Sequence, residues 1–246
     1  MTEDSMTDTD IDTTDPAYHS ARAALYAATA GAFVYPDEEA LTELRSQDAV
    51  EGIERAADRL GLGTEARRFT EALAEADLSD LQSAYTDLFG LPTDDGTYPV
   101  VPYEGNYTAG EEVDKQQRRI AAVVGLLETV GLEPSESFGE RQDHVATELE
   151  LLQVAAGQRA VVTDRADDPS DNEVAGEIQG IEAAALSNHL APFVPAMAHD
   201  LRATTDCEVY LAAANLAEAL VEFDDAVHPD PPTSPDELSP PGVTAR

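Results

Sequence analysis

The side chains best suited to chemistry in this chain are histidines and the carboxylates near them. His144, His189 and the adjacent pair His199-Asp200 are followed by Asp224. Imidazole nitrogens and carboxylate oxygens bind divalent metal ions such as zinc, and a bound metal activates water for hydrolysis. His144 and Glu148 stand four residues apart, so they share one face if their segment is helical. Metal-dependent hydrolysis is therefore one hypothesis for the function.

The order of these residues loosely resembles the metal ligands of helical HD-type phosphohydrolases. That family has an early histidine well before its His-Asp pair, and the segment before His199 supplies only candidates without identifiable supporting partners. A hydrogen bond or ion pair is the more ordinary expectation for His144 and Glu148. The single Cys207 has no second thiol, and no nucleophile motif or glycine-rich phosphate loop occurs. We predict no catalytic residue, no metal ligand and no cofactor, and keep the phosphohydrolase as the alternative function.

The charge balance constrains compartment and partners. The chain carries 50 Asp plus Glu against 14 Lys plus Arg, a formal net charge of -36, and Lys115 is its single lysine. Molar salt, with a Debye length of about 3 Å, screens such a surface, so we expect a high-salt cytoplasm. Nucleic acid is excluded as a partner because Lys and Arg form no cluster, and Arg118-Arg119 is interpreted as a surface pair. No export signal or stretch of roughly 18 apolar residues indicates membrane insertion.

The spacing of apolar residues predicts an all-α fold, a single irregular bundle of about ten helices. We expect a disordered acidic tail over 1–15, a helical domain over 16–226 and a proline-rich disordered tail over 227–246. Asp15 with Pro16 predicts the start of the first helix, and Ser79 with Gln82 and Ser170 with Glu173 predict capping boxes. A further helix over 111–130 would bury an apolar stripe that begins at Val113. The long connection from 90 to about 110 is of the kind that often carries function.

Three sequence motifs occur in order: YTDLFGLP at 85–92, PYEGNY at 102–107 and QDHVATELELL at 142–152. A fourth, NHLAPFVPAM, begins at Asn188. Together they resemble the TorD/DmsD/NarJ family of molybdoenzyme maturation chaperones, whose members typically have an aromatic-x-x-Leu-Phe-Gly-Pro stretch, a Pro-Tyr-Glu-Ser-x-Tyr stretch and an Asp-His stretch leading into Glu-Leu-Glu-Phe. The Leu-Phe-Gly sequence favours the TorD/DmsD branch over NarJ. Gly105 and Asn106 depart from the family pattern, as do Leu91 before Pro92 and Arg141 with Gln142 before Asp143.

The resemblance implies a cytoplasmic chaperone, not an enzyme, that binds the twin-arginine leader of a molybdopterin oxidoreductase subunit of the DMSO, TMAO or nitrate reductase type and assists cofactor loading. Its partners would be that leader and the catalytic subunit, and it would be a monomer or homodimer. Such a leader needs an apolar groove bordered by carboxylates. We predict Glu104 and Asp143 to face the arginines, within a peptide-binding set of Tyr85, Leu88, Phe89, Pro102, Tyr103, Glu104, Tyr107, Asp143 and His144. Two alternatives stay open: Leu88 and Phe89 as plain core, and Asp143 as a helix N-cap.

The carboxylate excess predicts that stability depends strongly on salt. On transfer from molar NaCl to roughly 0.1 M, where the Debye length is about 10 Å, repulsion should expand or unfold the domain. Far-UV circular dichroism across a salt series measures this. A thermal unfolding midpoint that does not change with salt would contradict the prediction.

Overall fold

Helices form almost all of the regular structure in residues 12–90, 98–133, 139–165 and 169–228, which the computed structural model describes. The all-α prediction is confirmed, and no strand is present in these ranges beyond one isolated bridge. The helices are α1 Pro16–Ala32, α2 Glu38–Leu44, α3 Gln47–Leu60, α4 Gly63–Glu75, α5 Leu78–Tyr85, α6 Glu104–Thr108, α7 Val113–Thr129, α8 Val145–Asp164, α9 Pro169–Ala185, α10 Ala191–Thr204 and α11 Glu208–Val227. Most of both predicted tails lies outside the described residues. No helix in the described part of the chain is long and apolar enough to span a membrane.

Side-chain capping explains the starts of five helices, α1, α2, α3, α5 and α8, whereas two predicted capping boxes are wrong. The first helix begins as predicted, with the Asp15 carboxylate accepting from the Ala17 N–H at 2.9 Å. Helix α5 begins two residues earlier than the Ser79 box implies, because the Asp77 carboxylate accepts from the N–H groups of Ser79 and Asp80. Helix α9 already starts at Pro169, so Ser170 lies inside its first turn. The predicted apolar stripe of α7 is also too long, since Val113 is 66% exposed.

Helix α1 lies at the centre of the bundle. It packs most extensively against α8 and also against α3 and α11. Its Leu25 and Tyr26 are fully buried, as are Leu149 and Leu152 of α8. Burying side chains of this size stabilises a fold by roughly 1.5–3 kcal/mol each, so the packing of α1 against α8 contributes substantially to the stability of the bundle.

Charged side chains cross the middle of this core. Arg22 of α1 donates from Nε to both carboxylate oxygens of Asp224 at 2.8 Å and from Nη1 to Glu182 Oε1 at 2.7 Å. The Tyr26 hydroxyl donates to Asp224 at 2.7 Å, and Arg159 donates to Glu182 at 3.3 Å. We call these five residues the Arg22 network. Its two guanidinium groups balance its two carboxylates, so the buried cluster is close to neutral.

Two helices continue into π-helical turns. Thr86–Gly90 follows α5, and Leu186–Leu190 joins α9 to α10. Pro192, just beyond the second turn, has no N–H to offer the Asn188 carbonyl four residues earlier. That carbonyl accepts a hydrogen bond from Arg119 of α7 instead. Pro192 thus leaves the Asn188 carbonyl available to Arg119, and this hydrogen bond joins α7 to the segment just before α10.

The Arg22 network predicts a large effect of Asp224→Asn. The substitution removes one charge and leaves Arg22 buried with a single anionic partner, which should cost about 3–5 kcal/mol in the free energy of unfolding. Urea denaturation in molar salt measures this loss. Asp225→Asn is the matched control because Asp225 is exposed and should change stability by less than about 0.5 kcal/mol. Equal effects of the two substitutions would contradict the prediction.

Candidate functional site

Backbone pairing brings the second and third sequence motifs together. The Val145 N–H donates to the Pro102 carbonyl at 2.8 Å, and the Glu104 N–H donates to the Asp143 carbonyl at 2.9 Å. These bonds form an isolated antiparallel bridge between Tyr103 and His144. Because α6 starts at Glu104 and α8 at Val145, the bridge holds the first turns of both helices side by side.

Asp143 connects this bridge to α6. Its carboxylate is fully buried and accepts from the Gly105 N–H at 3.0 Å and from Arg141 Nε and Nη2 at 2.9 and 2.6 Å. A Cβ atom at Gly105 would lie 3.0 Å from Asp143 Oδ2 and 3.3 Å from Arg141 Nη2. The departure from serine at Gly105 therefore has a steric reason, because the Arg141–Asp143 pair occupies the space.

His144, and not Asp143, is the N-cap of α8. Its Nδ1 accepts from the Ala146 N–H at 3.1 Å, so the alternative in which Asp143 caps the helix is wrong. The Asp143 side chain turns toward α6 instead. Burial lowers the pKa of His144 to about 4, which keeps the ring neutral and Nδ1 able to accept.

Arg141 covers the Asp143 carboxylate from the solvent side. The Arg141 side chain is 34% exposed, whereas that of Asp143 is inaccessible. Its guanidinium lies 4.6 Å from the centre of the Tyr103 ring and donates to Asn106 Oδ1 at 3.2 Å. The Tyr103 hydroxyl in turn donates to Glu140. The outer part of the site is thus an arginine held between an aromatic ring and a buried carboxylate.

The second predicted carboxylate, Glu104, is also fully buried and pairs with a different arginine, Arg119. Its Oε1 accepts from Arg119 Nε at 2.7 Å and from the Thr108 hydroxyl at 2.5 Å, while Oε2 lies 3.6 Å from Nδ1 of His189. Burial would raise the pKa of Glu104, but His189, Arg119 and Thr108 together lower it to about 2. Burial, with the charge of Glu104, raises the pKa of the adjacent Glu148 well above its usual range.

The remaining predicted residues divide between core and surface. Tyr85, Leu88 and Phe89 are 7%, 3% and 9% exposed, and the Phe89 ring lies 5.8 Å from that of Tyr210. They are core residues here, in line with the alternative left open for Leu88 and Phe89. Pro102 is buried beneath the bridge.

Tyr107 borders an open cleft of about 500 Å³. Its ring packs 5.2 Å from that of Phe193, and its hydroxyl donates to Asp200 Oδ2 at 3.0 Å. Lys115, Arg118 and Arg119 line the same cleft. Their positive charge suits an anionic group and disfavours the arginine of a leader.

Sequence reasoning missed both arginines that pair with the predicted carboxylates. Arg119 was interpreted as a surface residue, yet its side chain is 28% exposed and bonded to Glu104. No local signal marks this contact, since the two residues lie on different helices. Arg141 stands two residues before Asp143, and that spacing was the available signal for its role.

Of the residues considered for metal-dependent hydrolysis, His189 and Glu148 lie near each other, but the others do not join them in one centre in the described part of the chain. His144 caps α8, and Asp224 belongs to the Arg22 network. Asp200 accepts from a tyrosine, whereas the neighbouring His199 is exposed. The geometry therefore does not favour the phosphohydrolase alternative.

Comparison with known proteins decides the family. The model of the nitrate reductase delta subunit family matches residues 55–199, more than half of the chain. The chain belongs to the nitrate reductase delta subunit family. A crystal structure provisionally named a redox enzyme maturation protein, from Archaeoglobus fulgidus, is 19% identical over 82% of this chain and 93% of that chain, with a TM-score of 0.47. No curated protein sequence matches the chain.

Membership of the delta subunit family confirms the resemblance to the TorD/DmsD/NarJ chaperones stated from the motifs. The family comprises maturation chaperones for redox enzymes. The match includes all four motifs, among them the second and third, which form the bridge. The preference for the TorD/DmsD branch stays a prediction.

The capping role of His144 predicts an acid-sensitive step in this delta subunit family member. A protonated Nδ1 cannot accept from Ala146, and because the folded pKa of about 4 is below the ordinary 6.5, stability should be complete above pH 6.5 and decrease as the pH falls toward 4. In His144→Asn, which keeps a capping oxygen without this titration, the loss over that interval should be smaller by about 1–3 kcal/mol.

Urea denaturation at several pH values, in molar salt, measures the difference. His199→Asn is the matched control, since His199 is exposed and its replacement should leave the pH dependence unchanged. Identical pH profiles for wild type and His144→Asn would contradict the prediction.

Proposed function

We propose that this chain is a cytoplasmic, system-specific chaperone that binds the twin-arginine leader of a molybdopterin oxidoreductase subunit and assists cofactor loading before export. The observation that supports the proposal is the contact among Arg141, Asp143 and Tyr103. A guanidinium in this contact forms a two-pronged hydrogen bond to a buried carboxylate and stacks on an aromatic ring. These are the interactions by which proteins recognise arginine.

In this proposal an arginine of the leader takes the place of Arg141. The Arg141 side chain is partly exposed and can leave, whereas the Asp143 carboxylate stays fixed by the Gly105 N–H. Once uncovered, Asp143 is a buried anion without its cation, a state that strongly favours capture of another guanidinium. Glu104 suits this role less well because Arg119 and Thr108 both occupy its Oε1.

The apolar part of the leader would lie along the half-buried rings of Tyr103 and Tyr107, which flank the exposed Asn106. Tyr85, Leu88 and Phe89 would support this surface from within the core, and would contact a peptide directly only after a rearrangement of the turn Thr86–Gly90. A subunit of the DMSO, TMAO or nitrate reductase type is the proposed client.

If an arginine of the leader takes the place of Arg141, substitutions of Asp143 and of Arg141 should change the affinity for the leader in opposite directions. Asp143→Asn keeps an oxygen for the Gly105 N–H but loses the charge, so we expect it to bind a synthetic twin-arginine leader at least about tenfold more weakly, equivalent to about 1.4 kcal/mol. Arg141→Gln removes the internal competitor and should bind the leader more tightly than wild type. Fluorescence anisotropy titration in molar salt measures both affinities.

A leader with both arginines replaced by lysine is the control for guanidinium recognition, because lysine lacks the planar two-pronged donor. Circular dichroism verifies that each variant is folded. Unchanged affinity in folded Asp143→Asn would remove Asp143 from the site, and the absence of binding by wild type would refute leader recognition itself.

A further inference from the structure

Three buried side chains with metal-binding atoms converge behind the bridge. They are Glu104 at the start of α6, Glu148 in the first turn of α8 and His189 in the turn Leu186–Leu190. Their exposures are 0%, 1% and 4%, and one ligand atom from each lies within 4.8 Å of the others. We call them the Glu104–Glu148–His189 cluster.

Within the described part of the chain, the atoms of this cluster that face one another have no hydrogen-bond partner. Glu104 Oε2, both carboxylate oxygens of Glu148 and Nδ1 of His189 are buried and make no hydrogen bond to any residue that the structure describes. Arg119 and Thr108 bond to Oε1 of Glu104, which directs Oε2 toward the other two residues. Buried polar atoms are nearly always satisfied in proteins, so four such atoms at one point indicate a missing partner.

The chemistry of the donors selects a divalent transition metal. One imidazole nitrogen and two carboxylate oxygens are a ligand set used by zinc, with bonds of about 2.0–2.2 Å that place neighbouring ligand atoms roughly 3.3–3.6 Å apart. The separation of 3.6 Å between Glu104 Oε2 and His189 Nδ1 already equals that spacing. It is too long for a hydrogen bond but suits two ligands of one ion.

We propose that the Glu104–Glu148–His189 cluster binds one divalent transition metal ion of the zinc type. The ion would neutralise the two carboxylates and connect α6, α8 and the turn before α10. Glu104 adjoins Tyr103, and Glu148 lies one turn after His144, so the ion would stabilise the bridge from behind. Its role in this proposal is structural and does not depend on leader binding.

Metal retention by purified full-length protein tests the site. The protein is treated with a chelator, loaded with Zn²⁺ and desalted in molar NaCl with excess Mg²⁺, which competes for the many surface carboxylates. Bound zinc is then measured by mass spectrometry. We expect about one ion per chain in wild type, at least tenfold less in Glu148→Gln and His189→Gln, and a higher thermal unfolding midpoint for zinc-loaded wild type.

Matched controls lie close by in the sequence. Glu150 and His199 are exposed residues of α8 and α10, so Glu150→Gln and His199→Gln should retain zinc as wild type does. Co²⁺ in place of Zn²⁺ adds a visible absorption band that reports coordination directly and should disappear in His189→Gln, a separate test if Glu148→Gln does not fold. Wild type without stoichiometric zinc would overturn the proposal, and so would either cluster variant retaining zinc like its control.

Discussion

The site depends on a single short piece of backbone pairing. Two hydrogen bonds, between Val145 and Pro102 and between Glu104 and Asp143, align two segments that are some forty residues apart in sequence. Tyr103 and Asp143 lie immediately at this pairing, and Glu104 and Tyr107 lie on the helix that begins there. One of these bonds joins the Val145 N–H, the first of α8, to the carbonyl of Pro102. Because both residues are buried, water does not compete for this hydrogen bond. Because the pairing uses only backbone atoms, the side chains around it can change, provided that the residue at position 105 is small.

Local sequence patterns predicted those parts of the fold that depend on local interactions. Helical periodicity located the bundle, and Asp15 with Pro16 located the start of α1. Ordered motifs identified the family and named residues that the bridge brings together. The same reasoning failed where two candidate capping residues lie close together, because Asp77, two positions before Ser79, starts the helix by accepting from the N–H groups of Ser79 and Asp80.

Such local patterns could not predict contacts between residues that are far apart in sequence. Arg22 and Asp224 are 202 residues apart, and nothing near either residue indicates the other. Glu104, Glu148 and His189 likewise come from three separate elements. His189 was considered as a metal ligand, and Glu148 was considered together with His144, but no local pattern connected either residue with Glu104. Net charge was equally uninformative about the interior, since the strongly acidic composition describes the surface, whereas the Arg22 network pairs equal numbers of cations and anions.

The π-helical turn Leu186–Leu190 has a consequence for how this bundle tolerates changes in chain length. A π turn accommodates about one residue more than an α-helical turn, and one residue corresponds to a rotation of about 100° about the helix axis. The extra residue therefore sets which face of α10 meets α6, and places Phe193 under Tyr107 and Asp200 within reach of its hydroxyl. A deletion of one residue in this turn would leave composition and helical propensity almost unchanged, yet turn α10 by more than a quarter of a circle and direct other side chains toward the site.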